Sequence, residues 1–231
     1  LPGSNTGAFE IALWNSLGPK DVDVLVWDSF GNDCANDISK QLKLPNVNII
    51  KEEYGSLPNL NEVSFQNDVV FTWNGTTSGV RLPDAEWIPY DREGLTICDA
   101  TSAVFAYEID WVKIDILSFS WQKALGGEGA HGMLVLSPNA VKRINEHDPK
   151  WPIPKLFNLK KDGKLNFDIF NGLTVNTPSL LLVEDWLTII SWANSNGGMD
   201  FLLQKTQENY EVLKKFCSEN MWIDFLAKNE I

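Results

Sequence analysis

Three polar residues stand at the ends of apolar, strand-like runs: Thr76 after residues 68–73, Asp99 after 95–98 and Lys123 after 116–119. A lysine just past a covered strand sits at the edge where open α/β sheets bind ligands. Held there, partly desolvated, it gives up its charge more easily and can attack an aldehyde to form a Schiff base. Asn5 and Thr6 lie in a loop of small polar residues that feeds a helix, where free N–H groups and the helix dipole favour an anion. Lysine, carboxylate and anion loop together match what pyridoxal phosphate (PLP) needs: partners for its aldehyde, its pyridine nitrogen and its phosphate. Its ring also needs a flat apolar neighbour, a role assigned to Trp27 at the end of another strand. Taken singly, each residue has a plainer role: a solvated lysine, a helix cap, core packing. Their convergence is what points to a site.

The elements that must position these residues follow from periodicity. Apolar residues at Phe9, Ile11, Leu13, Trp14 and Leu17 predict a helix over 8–17 packed on a sheet. Residues 22–27 read as a strand, 31–43 as a helix, 47–51 as a strand, and 68–73, 95–98, 115–119 and 132–136 as further strands. Strands alternating with helices indicate an α/β fold, a mostly parallel mixed sheet flanked by helices, in which strand ends distant in sequence meet in one crevice. A short helix follows at 138–145, opened by a proline. Residues 148–172, with Pro149, Pro152 and Pro154 among Lys and Asn, show no period and read as a long excursion or arm. Helical patterns return over 179–193 and 201–216, broken by Gly197-Gly198. The expected organisation is a cofactor-binding large domain over 1–195, in part, and a connecting helix with the start of a truncated C-terminal small domain over 196–231. The chain opens at Leu1 and stops just after an apolar segment, which reads as a piece of a longer protein.

Composition narrows the functional classes. The 231 residues carry 19 Lys and Arg against 31 Asp and Glu, a formal net charge of −12. That argues against nucleic-acid or anionic-membrane surfaces, so any phosphate must be held locally by amides, hydroxyls and one or two cations. No apolar run is long enough to span a bilayer. Cys34, Cys98 and Cys217 are odd in number and widely spaced, which suits a reducing cytoplasm and no metal motif.

Three stretches carry a resemblance: Cys98-Asp99-Ala100-Thr101-Ser102, Trp121-Gln122-Lys123-Ala124-Leu125-Gly126-Gly127, and Val175-Asn176-Thr177-Pro178. With them the chain resembles the fold-type I PLP-dependent aminotransferases, in the branch of the phosphoserine aminotransferases. The 24-residue step from Asp99 to Lys123 is shared by many PLP enzymes; Gln122-Lys123 together with Asn176-Thr177-Pro178 is far more specific. The resemblance implies that Lys123 is the catalytic lysine, bonding PLP and then shuttling the proton, and that Asp99 pairs with the pyridinium nitrogen. It implies that Trp27 stacks on the ring, that Thr76 bonds the ring oxygen, and that Asn5, Thr6 and the Gln122 amide hold the phosphate. It also implies a homodimer with shared cofactor sites, in which Asn176 and Thr177 reach the neighbouring subunit's cofactor phosphate. The implied reaction is amino transfer between glutamate and 3-phosphohydroxypyruvate in serine biosynthesis. The family's substrate arginines would lie outside this chain. Two alternatives stand beside this reading: another small-substrate aminotransferase of the serine–glyoxylate type, and a catalytically incomplete PLP-binding dimeric fragment.

Overall fold

The computed structural model describes Leu1 and residues 3–228. Five parallel strands form the centre: β1 (Val22–Val26), β2 (Val47–Lys51), β3 (Asp68–Thr72), β4 (Thr96–Asp99) and β5 (Ile116–Phe119). A sixth, β6 (Met133–Leu136), runs antiparallel beside β5, and the order across the sheet is β2-β1-β3-β4-β5-β6. Crossovers between parallel neighbours put all their carboxyl ends on one edge. β1, β3 and β5 are buried at every position, as a sheet covered on both faces requires.

The two faces have separate cores, sorted by the period-two alternation of the strands. Val24, Val26, Val70, Ile97 and Ile116 pack on one face with α1 (Ser4–Ser16) and α2 (Ser29–Asn36). Leu25, Trp27, Phe71, Trp73, Cys98, Leu117 and Phe119 pack on the other. Helix α2 runs on into a π turn over Asp37–Gln41, so the segment expected as one regular helix has a wider last turn. Two buried ion pairs pin the opposite edge of the sheet. Arg143, on α3 (Pro138–Glu146), grips Asp68 at 2.7 and 3.1 Å, and Arg92 meets Asp115 at 3.0 Å. Removing one partner of such a pair costs about 3–5 kcal/mol, because it strands the other charge.

The 148–172 excursion is more ordered than its composition suggests. It contains a two-strand hairpin, β7 (Lys160–Lys161) and β8 (Lys164–Leu165), and a 3₁₀ turn over Phe167–Asn171. Leu159 and Leu165 anchor it by packing with Ile11 and Ile144. Strands of two residues are too short to show an alternation, which is why the pattern is silent there. Helices α4 (Leu180–Ser195) and α5 (Gly198–Glu219) follow and share a core with Trp121 and Leu125. Among the described residues no helix is long and apolar enough to cross a membrane.

Candidate active site

A cleft opens at the carboxyl edge of the sheet, and six of the residues singled out by sequence line it: Asn5, Thr6, Thr76, Asp99, Gln122 and Lys123. They come from the first turn of α1, the turn after β3, the end of β4 and the turn after β5. Register brings them together. Thr72 pairs with Asp99, and Asp99 with Ser118, so three polar side chains stand in a row where the apolar face ends.

The first turn of α1 reaches the cleft because the turn before β6 lets it approach. Gly3 takes a left-handed φ of 78° ahead of the helix, and the Ser4 amide donates to the Ala130 carbonyl at 3.1 Å. A Cβ at Gly132 would sit 2.4 Å from both the Ala8 Cβ and the Ser4 carbonyl oxygen, so this crossing needs a glycine. The leading amides of a helix have no intrahelical acceptor, so this end can receive an anion.

Asp99 has its Oδ1 fixed twice, by the Thr101 amide at 2.9 Å and the Thr101 hydroxyl at 2.6 Å. Burial pushes its carboxyl above the usual carboxylate range; the Thr101 bonds and the neighbouring Asn5 pull it back, and Asp28 adds to the rise. Asn5 is itself 95% buried, yet neither atom of its amide makes a well-formed hydrogen bond. The same holds for Thr72 Oγ1 and Gln122 Oε1, on two further residues that line the cleft. Buried polar atoms without partners are costly, and a cluster of them facing a cleft suits a polar ligand. Lys123 is exposed at the mouth, and its ammonium has no bonding partner among the described residues. This differs from the partial desolvation expected for it, because the cleft is open on that side. A free cation, a fixed carboxylate, an amide-rich helix end and unpaired hydroxyls fit a phosphorylated aromatic aldehyde such as PLP. Among the described residues no cluster of His, Cys, Asp and Glu could hold a metal ion.

Trp27 requires a correction. It continues the Leu25 side of β1, on the face of the sheet opposite Asp99, where it is buried and its Nε1 donates to the Val80 carbonyl at 3.1 Å. It cannot stack on a ligand in the cleft. The aromatic ring that lines the cleft is Phe30, in the first turn of α2 and 48% exposed. Two signals could have found it: the alternation along Val24–Trp27, which turns Trp27 away, and Asp28, whose residue type marks a helix start two positions before Phe30. Asp28 has a second role missed from sequence. Its Oδ1 accepts the Gly31 amide at 3.0 Å and its Oδ2 the Thr76 amide at 2.8 Å, so one buried carboxylate ties the start of α2 to the turn carrying Thr76.

Asn176 and Thr177 lie outside this cleft. Both are exposed, and Asn176 borders a separate hollow with His131 and Val175. Their side chains make no hydrogen bonds among the described residues.

Comparison with known proteins first defines the class. The solved structure of a phosphoserine aminotransferase from Cytophaga hutchinsonii has a TM-score of 0.78 at 19% identity, covering 94% of this chain and 60% of that one. A PLP-bound phosphoserine aminotransferase from Trichomonas vaginalis gives 0.74 at 17% identity, covering 100% and 62%. The fold is that of the fold-type I aminotransferases. More particularly, the chain is 58% identical over 230 residues to the phosphoserine aminotransferase of Methanosarcina mazei, and 57% identical over 230 residues to that of Methanosarcina barkeri. It spans 62% of the length of each relative. No protein-family model matches it.

Proposed function

We propose that this chain is the cofactor-binding part of a PLP-dependent phosphoserine aminotransferase, which moves an amino group between glutamate and 3-phosphohydroxypyruvate in serine biosynthesis. One observation carries the reading: six residues expected to serve one cofactor come from four separate segments and line one cleft. The 58% identity to the Methanosarcina mazei protein favours this substrate pair over the glyoxylate of the rival type. The cleft would seat PLP with its phosphate at the first turn of α1 and the Gln122 amide, its ring against Phe30, its ring oxygen near Thr76, and its pyridine nitrogen toward Asp99. PLP, when bound, supplies the electron sink for breaking the bond at the substrate's α-carbon. Asp99 would hold the proton on the ring nitrogen, and Thr101 would keep that carboxylate in place. Lys123 Nζ would bond the cofactor at rest and carry the proton when freed.

Residues 1–195 would form the cofactor domain, and 196–231 would lead into a second domain. Asn176 and Thr177 would serve the cofactor of a partner subunit, so the working unit would be a homodimer. Three free cysteines, two of them buried, suit a reducing cytoplasm.

The test is an absorbance spectrum of purified protein with PLP, then borohydride reduction and peptide mass mapping. A pyridoxyl adduct on Lys123 is expected. An adduct on another lysine, or none under saturating PLP, overturns the reading. Turnover with 3-phosphohydroxypyruvate against glyoxylate, in the full-length protein, separates the two substrate classes.

A further inference from the structure

The turn that carries Lys123 is held from outside the cleft by α4. Inside the turn, the Gly126 amide donates to the Lys123 carbonyl at 2.9 Å and the Gly127 amide to the Trp121 carbonyl at 3.0 Å. On its outer side, Asp185 Oδ2 accepts the Glu128 amide at 3.0 Å. One residue further along α4, the Trp186 ring stacks on Trp121 with centroids 4.8 Å apart and planes 29° from parallel. The fit is close. A Cβ at Gly127 would meet Trp121 at 2.5 Å, Ile189 at 2.7 Å and Asp185 at 2.8 Å. Trp186 is wedged against Phe105 as well, with 6.2 Å between ring centroids. Residues on both sides of Lys123, Trp121 and Glu128, are therefore tied to consecutive positions of one helix.

The lysine side chain needs such support. It has four rotatable bonds, and its ammonium has no partner among the described residues, so its aim comes from the backbone that carries it. Misplacing a reacting group by about 1 Å can cost about a hundred-fold in rate. We propose that Asp185 and Trp186 are positioning residues for Lys123: α4 clamps the turn after β5 and thereby aims the lysine into the cleft. This rests on the reading of Lys123 as the lysine that bonds PLP. It also gives α4 a second duty, since the helix starts three residues after Thr177, in the segment assigned to the partner's site.

The test compares Asp185→Ala, Asp185→Asn and Trp186→Ala with the parent, in the full-length protein. Hydrogen exchange of the Gly127 and Glu128 amides is read without PLP, and the rate at which added PLP becomes borohydride-fixed on Lys123 is read with it. Asp185→Ala is expected to speed exchange at Glu128 at least ten-fold and to slow fixation several-fold. Asp185→Asn, whose Oδ1 can accept the same N–H, should restore both. Trp186→Ala should resemble Asp185→Ala. Exchange within two-fold of the parent in Asp185→Ala overturns the clamp; faster exchange with unchanged fixation overturns its role in aiming the lysine. An Asn variant as damaged as the Ala variant also overturns it. Failure of the cofactor reading itself would show in the parent, as no adduct on Lys123, whereas failure of the clamp shows only in the variants.

Discussion

Asp99 works against the stability of the fold it belongs to. Its carboxyl lies above the usual range because burial opposes the charge, and Thr101 offsets this only in part. Between the usual carboxylate pKa and the raised one, the unfolded chain has lost the proton and the folded chain keeps it. Stability therefore falls as pH rises through that window and stays reduced above it. Asp99→Asn keeps an oxygen for the Thr101 donors and removes the charge, so cofactor-free Asp99→Asn protein should melt at a higher temperature than the parent at pH 7. The gain should shrink as pH approaches the usual carboxylate range. Under the proposed function, the same variant of the full-length protein should bind PLP yet slow the half-reaction with glutamate, because a neutral amide cannot hold the ring proton; a rate within a few-fold of the parent contradicts that role. Phe30 and Trp27 separate as cleanly. Phe30→Ala should weaken PLP binding two- to ten-fold, the about 0.5–1.5 kcal/mol of an aromatic contact, with little change in unfolding free energy. Trp27→Ala should lower unfolding free energy by about 3–5 kcal/mol, as emptying a core position does. Equilibrium dialysis and urea denaturation of both variants read the two effects.

The elements were legible where burial imposes a period. All six strands of the main sheet stand within a residue or two of their expected places; β1, β3 and β5 do so as runs buried on both faces, and the edge strands β2 and β6 as short apolar runs with one side left partly exposed. The parallel order followed from the alternation with helices, and six of the cleft residues followed from strand ends and from motifs such as Gln122-Lys123. What stayed hidden depends on geometry that sequence carries weakly. Trp27 and Phe30 are three residues apart, and which one faces the cleft turns on where β1 stops and α2 starts. The hairpin at 160–165 is too short for a pattern, and the hold of Asp185 on Glu128 spans 57 residues. Asp28 shows what one such link does for an element. Capping α2 contributes about 1 kcal/mol, and the charged hydrogen bond to Thr76 about 1.5–3 kcal/mol. Asp28→Ala should therefore cost roughly 2–4 kcal/mol by urea denaturation. It should also weaken PLP binding more than Thr76→Val does, because Phe30 and the Thr76 turn are released together. A variant with parent-like affinity would show that the two segments are placed without Asp28.

At the scale of the whole molecule, one exposed segment joins free side-chain donors to an apolar helix start. Asn176 and Thr177 are exposed, outside their own cleft, and followed by Pro178, which has no amide to donate to a strand partner. Just beyond them α4 opens with Leu180 and Leu181, 77% and 79% exposed, an apolar turn that a partner subunit would cover. If these donors serve the neighbouring cofactor, each lost hydrogen bond to its phosphate should cost about 1.5–3 kcal/mol, or roughly ten-fold or more in affinity. Mixing two inactive full-length chains tests this directly. One carries Lys123→Ala, the other Asn176→Ala with Thr177→Ala. In the mixed dimer, the site with Lys123 intact draws its donors from the Lys123→Ala chain, so that site should be whole again, and tight PLP binding should return in proportion to the mixed species. Mass spectrometry confirms that mixed dimers form. If they form and tight binding stays lost, each chain builds its own site, and the exposed Asn176-Thr177 pair has no part in holding the cofactor.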